Sequence, residues 1–193
     1  STDAGTNWTQ RISSGNRNWT SVASSLDGNK LIACAANVGV FVSTDSGANW
    51  PATPSLVGAA NFSGVASSGN GSNVVAVIQG LQIYTSATNG VGSSWIPRDS
   101  NRAWTCIASS ADGSRLVAGV NGGFLYVSPD FGASWIPGNI SANWTGVGCS
   151  ADGSRMIAVA NGGGVYVSTD GGINWQQRPN LPAGVTIYNG ATV

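Results

Sequence analysis

Few side chains in this chain could do acid–base or nucleophilic chemistry, and their types narrow the field. The 193 residues hold eight aspartates but no glutamate and no histidine. Glycoside hydrolysis by paired carboxylates needs two acids flanking one bond, and a Ser-His-Asp or Cys-His relay needs an imidazole. Seven of the aspartates have neighbours that point elsewhere. Asp27, Asp112 and Asp152 are each followed by glycine; Asp3, Asp45, Asp130 and Asp170 each sit two residues after a serine and two before a glycine. Both settings are turn chemistry: a carboxylate accepts hydrogen bonds from following amides, and glycine tolerates positive φ. Asp99, in the loop Pro97-Arg98-Asp99-Ser100, is left for a surface ion pair with Arg98.

The cations do not converge either. Arg115 and Arg155 read as equivalent positions of a repeat, with Lys30 one residue beyond their frame. Arg11, Arg98 and Arg178 each follow a tryptophan by three residues. Cys34, Cys106 and Cys149 are odd in number, lie in apolar strand patterns and include no Cys-x-x-Cys pair, so they read as buried thiols. Without histidine a zinc site is not expected. From these residues the chain is expected to be no enzyme, with no catalytic residue, cofactor or metal.

Charged residues make up only 8% of the chain and the formal net charge is zero. No basic stripe is available to neutralise phosphates, so nucleic acid is not an expected partner. No apolar run approaches the roughly 20 residues of a membrane-spanning helix. A surface of Ser, Thr, Asn and Gly leads us to expect an extracellular or cell-surface, secreted protein. No leader is visible, and the chain opens inside a motif.

That motif is the organising feature. Ser1-x-Asp3-x-Gly5-x-x-Trp8 returns as Ser43, Asp45, Gly47 and Trp50, again as Ser128, Asp130, Gly132 and Trp135, and again as Ser168, Asp170, Gly172 and Trp175. A decayed copy, Thr88-Asn-Gly90-Val-Gly92-Ser-Ser-Trp95, lacks the aspartate and is read as following a two-residue insertion. A second motif alternates with the first. Trp19, Trp104 and Trp144 each open an apolar segment that ends at Asp-Gly, and Phe62 opens the remaining copy, with Asn70-Gly71 at its turn. Each unit of about 40 residues reads as four short strands. One follows the Trp or Phe, and a β-branched one follows the Asp-Gly turn. A short aromatic one comes next, spanning residues 40–42, 82–84, 125–127 and 165–167, and the last starts at the motif tryptophan. Four strands per unit at this period is the pattern of a β-propeller, and no helix is expected.

The motif Ser-x-Asp-x-Gly-x-x-Trp resembles the Asp box, or BNR repeat, of sialidase-like proteins, sortilin-type receptors and photosystem II assembly factors of the Ycf48 type. The resemblance covers nearly the whole chain. It implies an all-β propeller of four-stranded blades, with the box joining the third and fourth strands in a structural role. It also implies what sialidase chemistry would require: an arginine triad, a tyrosine–glutamate pair and an acidic proton donor, of which the glutamate is missing. The expected organisation is one domain over 1–193. It has four full blades, approximately 13–55, 56–98, 99–138 and 139–178, and an incomplete fifth shared by 1–12 and 179–193, with a strand near 184–188.

Two functions fit such a chain. The first is a structural or protein-interaction building block of a surface, matrix or filament assembly, self-associating or binding another extracellular protein through open strand edges. The second is a lectin-type propeller, in which Trp19, Phe62, Trp104 and Trp144 would stack on glycans between blades. The alternative for these four rings is a wedge between blades. Six Asn-x-Ser/Thr sequons, at Asn7, Asn18, Asn61, Asn70, Asn139 and Asn143, are candidate N-glycosylation sites.

Overall fold

A computed structural model describes residues 1, 3, 5–51, 60–91 and 94–179. Strands β1 (Trp19–Ser24), β2 (Leu31–Ala35) and β3 (Gly39–Ser43) form a three-stranded antiparallel sheet. Strands β4 (Phe62–Ser67), β5 (Val74–Ile78), β6 (Ile83–Ser86) and β7 (Ile96–Arg98) form a four-stranded one. Strands β8 (Trp104–Ser109), β9 (Leu116–Ser128), β10 (Ile136–Cys149), β11 (Met156–Ala160), β12 (Gly164–Ser168) and β13 (Gln176–Arg178) form a sheet of six. Among the described residues the only helical turn is a 3-10 turn at Ile12–Ser14. The expected four-strand unit is seen whole in β4–β7 and again in the second half of β10 with β11–β13. In the first unit the fourth strand would fall within 52–59, and the strand expected near 184–188 lies beyond 179; both are outside the described residues.

The third and fourth units run on through one long strand: β10 pairs with β9 through Ile136–Asn143 and with β11 through Trp144–Cys149, so its first half belongs to the third unit and its second half opens the fourth. Strand β9 pairs with β8 through Leu116–Val120 and with β10 through Asn121–Val127. Its two ends meet, because the Phe131 N–H donates to the Ser114 carbonyl at 2.9 Å. The strand therefore doubles back at Asn121-Gly122, where Gly122 takes φ 66°. Pairing of Asn121, Gly123 and Phe124 with Asn143, Ala142 and Ser141 carries strand geometry straight through that turn.

The inner strands repeat one irregularity. Register shifts occur between Trp19 and Ser21, Phe62 and Gly64, Trp104 and Cys106, and Trp144 and Gly146. Such a bulge re-aims the extra residue, here a serine or threonine. Thr20 Oγ1 donates to the Phe62 carbonyl (2.8 Å), Ser63 Oγ to that of Trp104 (2.8 Å) and Thr105 Oγ1 to that of Trp144 (2.7 Å). The first three bulges thus pin each unit to the next.

The core lies between units. Ile32, Cys34, Val40 and Val42 of the first pack against Phe62, Val65, Ala76 and Trp95 of the second. Val75, Val77 and Ile83 of the second meet Trp104, Leu116 and Tyr126 of the third. Val117, Leu125 and Val127 of the third meet Trp144, Met156 and Tyr166 of the fourth. Burying each such side chain is worth about 1.5–3 kcal/mol, so these faces hold the array together.

Candidate functional site

The four intact boxes share one geometry. The serine hydroxyl donates to the aspartate Oδ1 at 2.7–2.9 Å and accepts the glycine N–H at 2.8–2.9 Å. The same Oδ1 accepts the backbone N–H of the residue before the tryptophan: Asn7, Asn49, Ser134 or Asn174. That residue's side chain donates to Oδ2 at 2.6–2.7 Å. In three boxes the indole N–H closes the turn onto the glycine carbonyl: Trp50 to Gly47, Trp135 to Gly132 and Trp175 to Gly172. Hydrogen bonds from Asn7, Asn49 and Asn174, with those from the box serines, hold Asp3, Asp45 and Asp170 down to about 2. For Asp130 burial acts upward, but the bonds from Ser134 and Ser128 outweigh it. Carboxylates so held serve as acceptors and stay ionised.

The decayed box aligns differently from the sequence reading. Ser86 Oγ accepts the Gly90 N–H at 3.2 Å, as Ser43 does for Gly47, and the Trp95 indole donates to the Gly90 carbonyl at 3.0 Å. The box therefore starts at Ser86, with Thr88 in the aspartate position. The two extra residues fall after Gly90, because Ser86 must stay in register with Val74.

The Asp-Gly turns are smaller versions of the same device. Ser25, Ser110 and Ser150 donate to Asp27, Asp112 and Asp152 at 2.6 Å, and Ser68 donates to Asn70 at 2.8 Å. Each serine oxygen in return accepts a backbone N–H five residues on, from Lys30, Arg115, Arg155 or Asn73. Lys30 therefore shares the frame of Arg115 and Arg155 and is not one residue beyond it. Asp99 pairs with Arg102 (3.1 Å), not with Arg98, whose Nε donates to Thr85. The Arg102 guanidinium also lies 4.4 Å from the Tyr126 ring.

Three of the four aromatic ligand candidates are buried between units. Phe62 and Trp104 are 0% exposed and Trp144 1%, so they present no face to a sugar; Trp19 is half-buried against Phe41. The three thiols are buried, and desolvation raises all of them, Cys106 and Cys149 to about 11. The six sequon asparagines are exposed. Three of them work within the fold: Asn7 in its box, Asn70 in its turn, and Asn61 donating to Gln79 Oε1 at 2.6 Å.

The feature that sequence reasoning missed is a groove of about 630 Å³ along the inner strands of all four units. It is lined by residues 20–24, 63–67, 105–109 and 145–149, which are serine, threonine, glycine, alanine, valine, isoleucine and cysteine without one charged side chain. Charge does not single these segments out in the sequence, because residues 31–44 and 56–97 are also free of charged side chains.

The BNR/Asp-box repeat family model matches residues 166–177, the segment that runs from Tyr166 through the fourth box. The chain thus carries a repeat that matches the BNR/Asp-box model, and its fold is of the propeller type. No curated protein sequence matches this Asp-box chain. Among solved structures, an ancestral GH74 enzyme superposes with TM-score 0.71 at 22% identity, over 94% of this chain and 26% of that one. The GH74 enzyme of Niastella koreensis gives 0.66 at 22%, over 84% and 24%. YCF48 bound to D1 peptide gives 0.64 at 15%, over 83% and 54%; YCF48 from Cyanidioschyzon merolae gives 0.63 at 14%, over 86% and 57%. The chain thus spans about a quarter of the GH74 enzymes and just over half of the YCF48 structures.

These likenesses correct one expectation. The chain was expected to be no enzyme because it lacks glutamate and its aspartates serve turns. The fold it forms is also found in GH74 enzymes, of which it spans about a quarter, so the residue inventory of 193 positions does not exclude catalysis.

Proposed function

We propose that this Asp-box propeller is a protein-interaction building block of an assembly outside the cell, and that it holds an extended, uncharged polypeptide segment along its inner-strand groove. The observation that carries this reading is the groove itself. Four inner strands bring their hydroxyls and backbone edges to one concave surface of about 630 Å³ that has no charged side chain. Strand edges and hydroxyls recognise peptide backbone, and a neutral lining selects a neutral partner. The structure of YCF48 with a bound D1 peptide supports a peptide as the partner class. The low charge of the chain supports an extracellular setting. Glycan binding is the second reading, favoured by the likeness to GH74 enzymes and by the same hydroxyl lining.

The test is a paired screen on a peptide array and a glycan array, with Ser67→Arg as the control that places a charge in the groove. Saturable binding of neutral peptides that weakens about tenfold or more in the variant, or roughly 1.4 kcal/mol, supports the proposal. Binding to glycans alone favours the second reading. Binding of peptides that Ser67→Arg leaves unchanged rejects the groove as the site.

A further inference from the structure

We infer that the junction between the second and third units holds a carboxylate group on a short apolar stem, with Arg98 as its clamp. Two departures from the repeat meet there. The second box has Thr88 where the four intact boxes have aspartate, so it brings no negative charge. Strand β6 has Thr85 where the equivalent strands have Val42, Val127 and Val167. The equivalence is spatial as well. A Cβ on Gly90, Gly132 or Gly172 would meet Val42, Thr85 or Val127 of the preceding unit. A hydroxyl therefore stands in a seam that is apolar at the other junctions.

That hydroxyl holds a cation. Thr85 is 7% exposed, and its Oγ1 accepts the Arg98 Nε–H at 3.0 Å. The Thr85 O–H donates to no acceptor among the described residues, and neither do the two Nη groups of half-buried Arg98. Among those residues no carboxylate pairs with Arg98 either, because Asp99 turns to Arg102. A guanidinium that spends Nε on a neighbour keeps its Nη pair for a bidentate acceptor, and a carboxylate matches that fork.

Beside Arg98 lies a cavity of about 90 Å³, lined among others by Thr85, Ser86, Ile96, Leu116 and Phe131. One ordered water needs only about 10–15 Å³, so the cavity has room for a group of several atoms. Leu116 is buried, while Ile96 and Phe131 are half exposed, so apolar walls adjoin the donors and the site is open to solvent. Phosphate has no apolar part to set against these walls, whereas a carboxylate on an aliphatic stem does. The carboxylates next to the lining, Asp112 and Asp130, are taken up by Ser110 and Ser114 and by Ser128 and Ser134. Their charge opposes an anion without competing for Arg98. The stem belongs either to an acidic side chain of a partner protein or to a free acid.

Titration of the full chain with sodium butyrate at constant ionic strength tests this, read on the Arg98 Nε–H resonance. That resonance is assigned by its absence from Arg98→Lys. Butyrate is expected to shift it and to saturate with a Kd on the order of millimolar, and the uncharged isostere butyramide to leave it in place. Arg98→Gln is expected to weaken butyrate about tenfold or more, and Thr85→Val by a smaller factor, both followed on the neighbouring backbone amides. Thr85→Val installs the residue of the other units and carries the test if Arg98→Gln does not fold. Acetyl-Gly-Glu-Gly-amide distinguishes the sources: tighter binding than butyrate supports a partner's acidic side chain, and weaker binding supports a free acid. No shift with butyrate overturns the inference, as does an equal response to butyramide or unchanged affinity in either variant. Inorganic phosphate binding as tightly as butyrate also overturns it, since the site would then read charge alone.

Discussion

Trp144 donates its indole N–H to the Gly123 carbonyl at 2.9 Å, across the junction between the third and fourth units. The equivalent indole N–H of Trp104 is buried with no acceptor. The carbonyl in the matching place, that of Leu81, already accepts the Arg102 backbone N–H at 3.1 Å. Trp→Phe removes similar volume at both sites but takes a donor from an acceptor only at Trp144. Trp144→Phe is therefore expected to be about 1–3 kcal/mol more destabilising than Trp104→Phe, as read from urea midpoints at equal slope. Equal losses would mean that Trp104 has a partner in solution, such as a bound water.

The box serine is the hinge of its turn, because a single oxygen both donates to the aspartate and accepts the glycine amide. Ser128 is buried, and Ser128→Ala leaves the Gly132 N–H without its acceptor. A loss of about 1–3 kcal/mol is expected. The weaker bond of the decayed box, 3.2 Å from Gly90 to Ser86, predicts a smaller loss for Ser86→Ala. Thermal melts of the two variants against wild type measure the difference.

Stability should be flat through neutrality and fall in acid. With no histidine, no side chain has an ordinary pKa between about 5 and 8. The box carboxyls of Asp3, Asp45 and Asp170 and the turn carboxyl of Asp112 sit at about 2 in the folded chain, against 3.8 ordinarily. A lowered folded pKa contributes stability that is complete above the unfolded value and lost as pH falls through the folded one. Melting temperature is therefore expected to hold down to about pH 5 and to fall steadily between about pH 4 and 2. A melting temperature unchanged at pH 2 would mean that the carboxylates do not hold these turns.

The thiols set the alkaline limb. Desolvation raises Cys106 and Cys149 to about 11, against 9.0 ordinarily, so their contribution is complete below pH 9 and lost as pH rises toward 11. A thiol-reactive dye is expected to label none of the three cysteines in the native chain and all three in denaturant. Rapid native labelling would place a cysteine at the surface.

The sequence by itself determined the unit, its four-strand content and the box as a turn. Those rest on local chemistry: serine, aspartate and glycine at fixed spacing make their hydrogen bonds within five residues, so spacing alone specifies them. Position along the chain also showed Trp19, Phe62, Trp104 and Trp144 to be equivalent. Only the tertiary structure decided that Phe62, Trp104 and Trp144 are buried, since burial depends on the face of the neighbouring unit. It also moved the decayed box to Ser86, because strand register with Val74 outweighs the apparent motif. The neutral groove comes from contacts between residues about 40 positions apart. Equivalent residues in a repeat look alike in sequence, and what distinguishes them is whether another unit lies beside them.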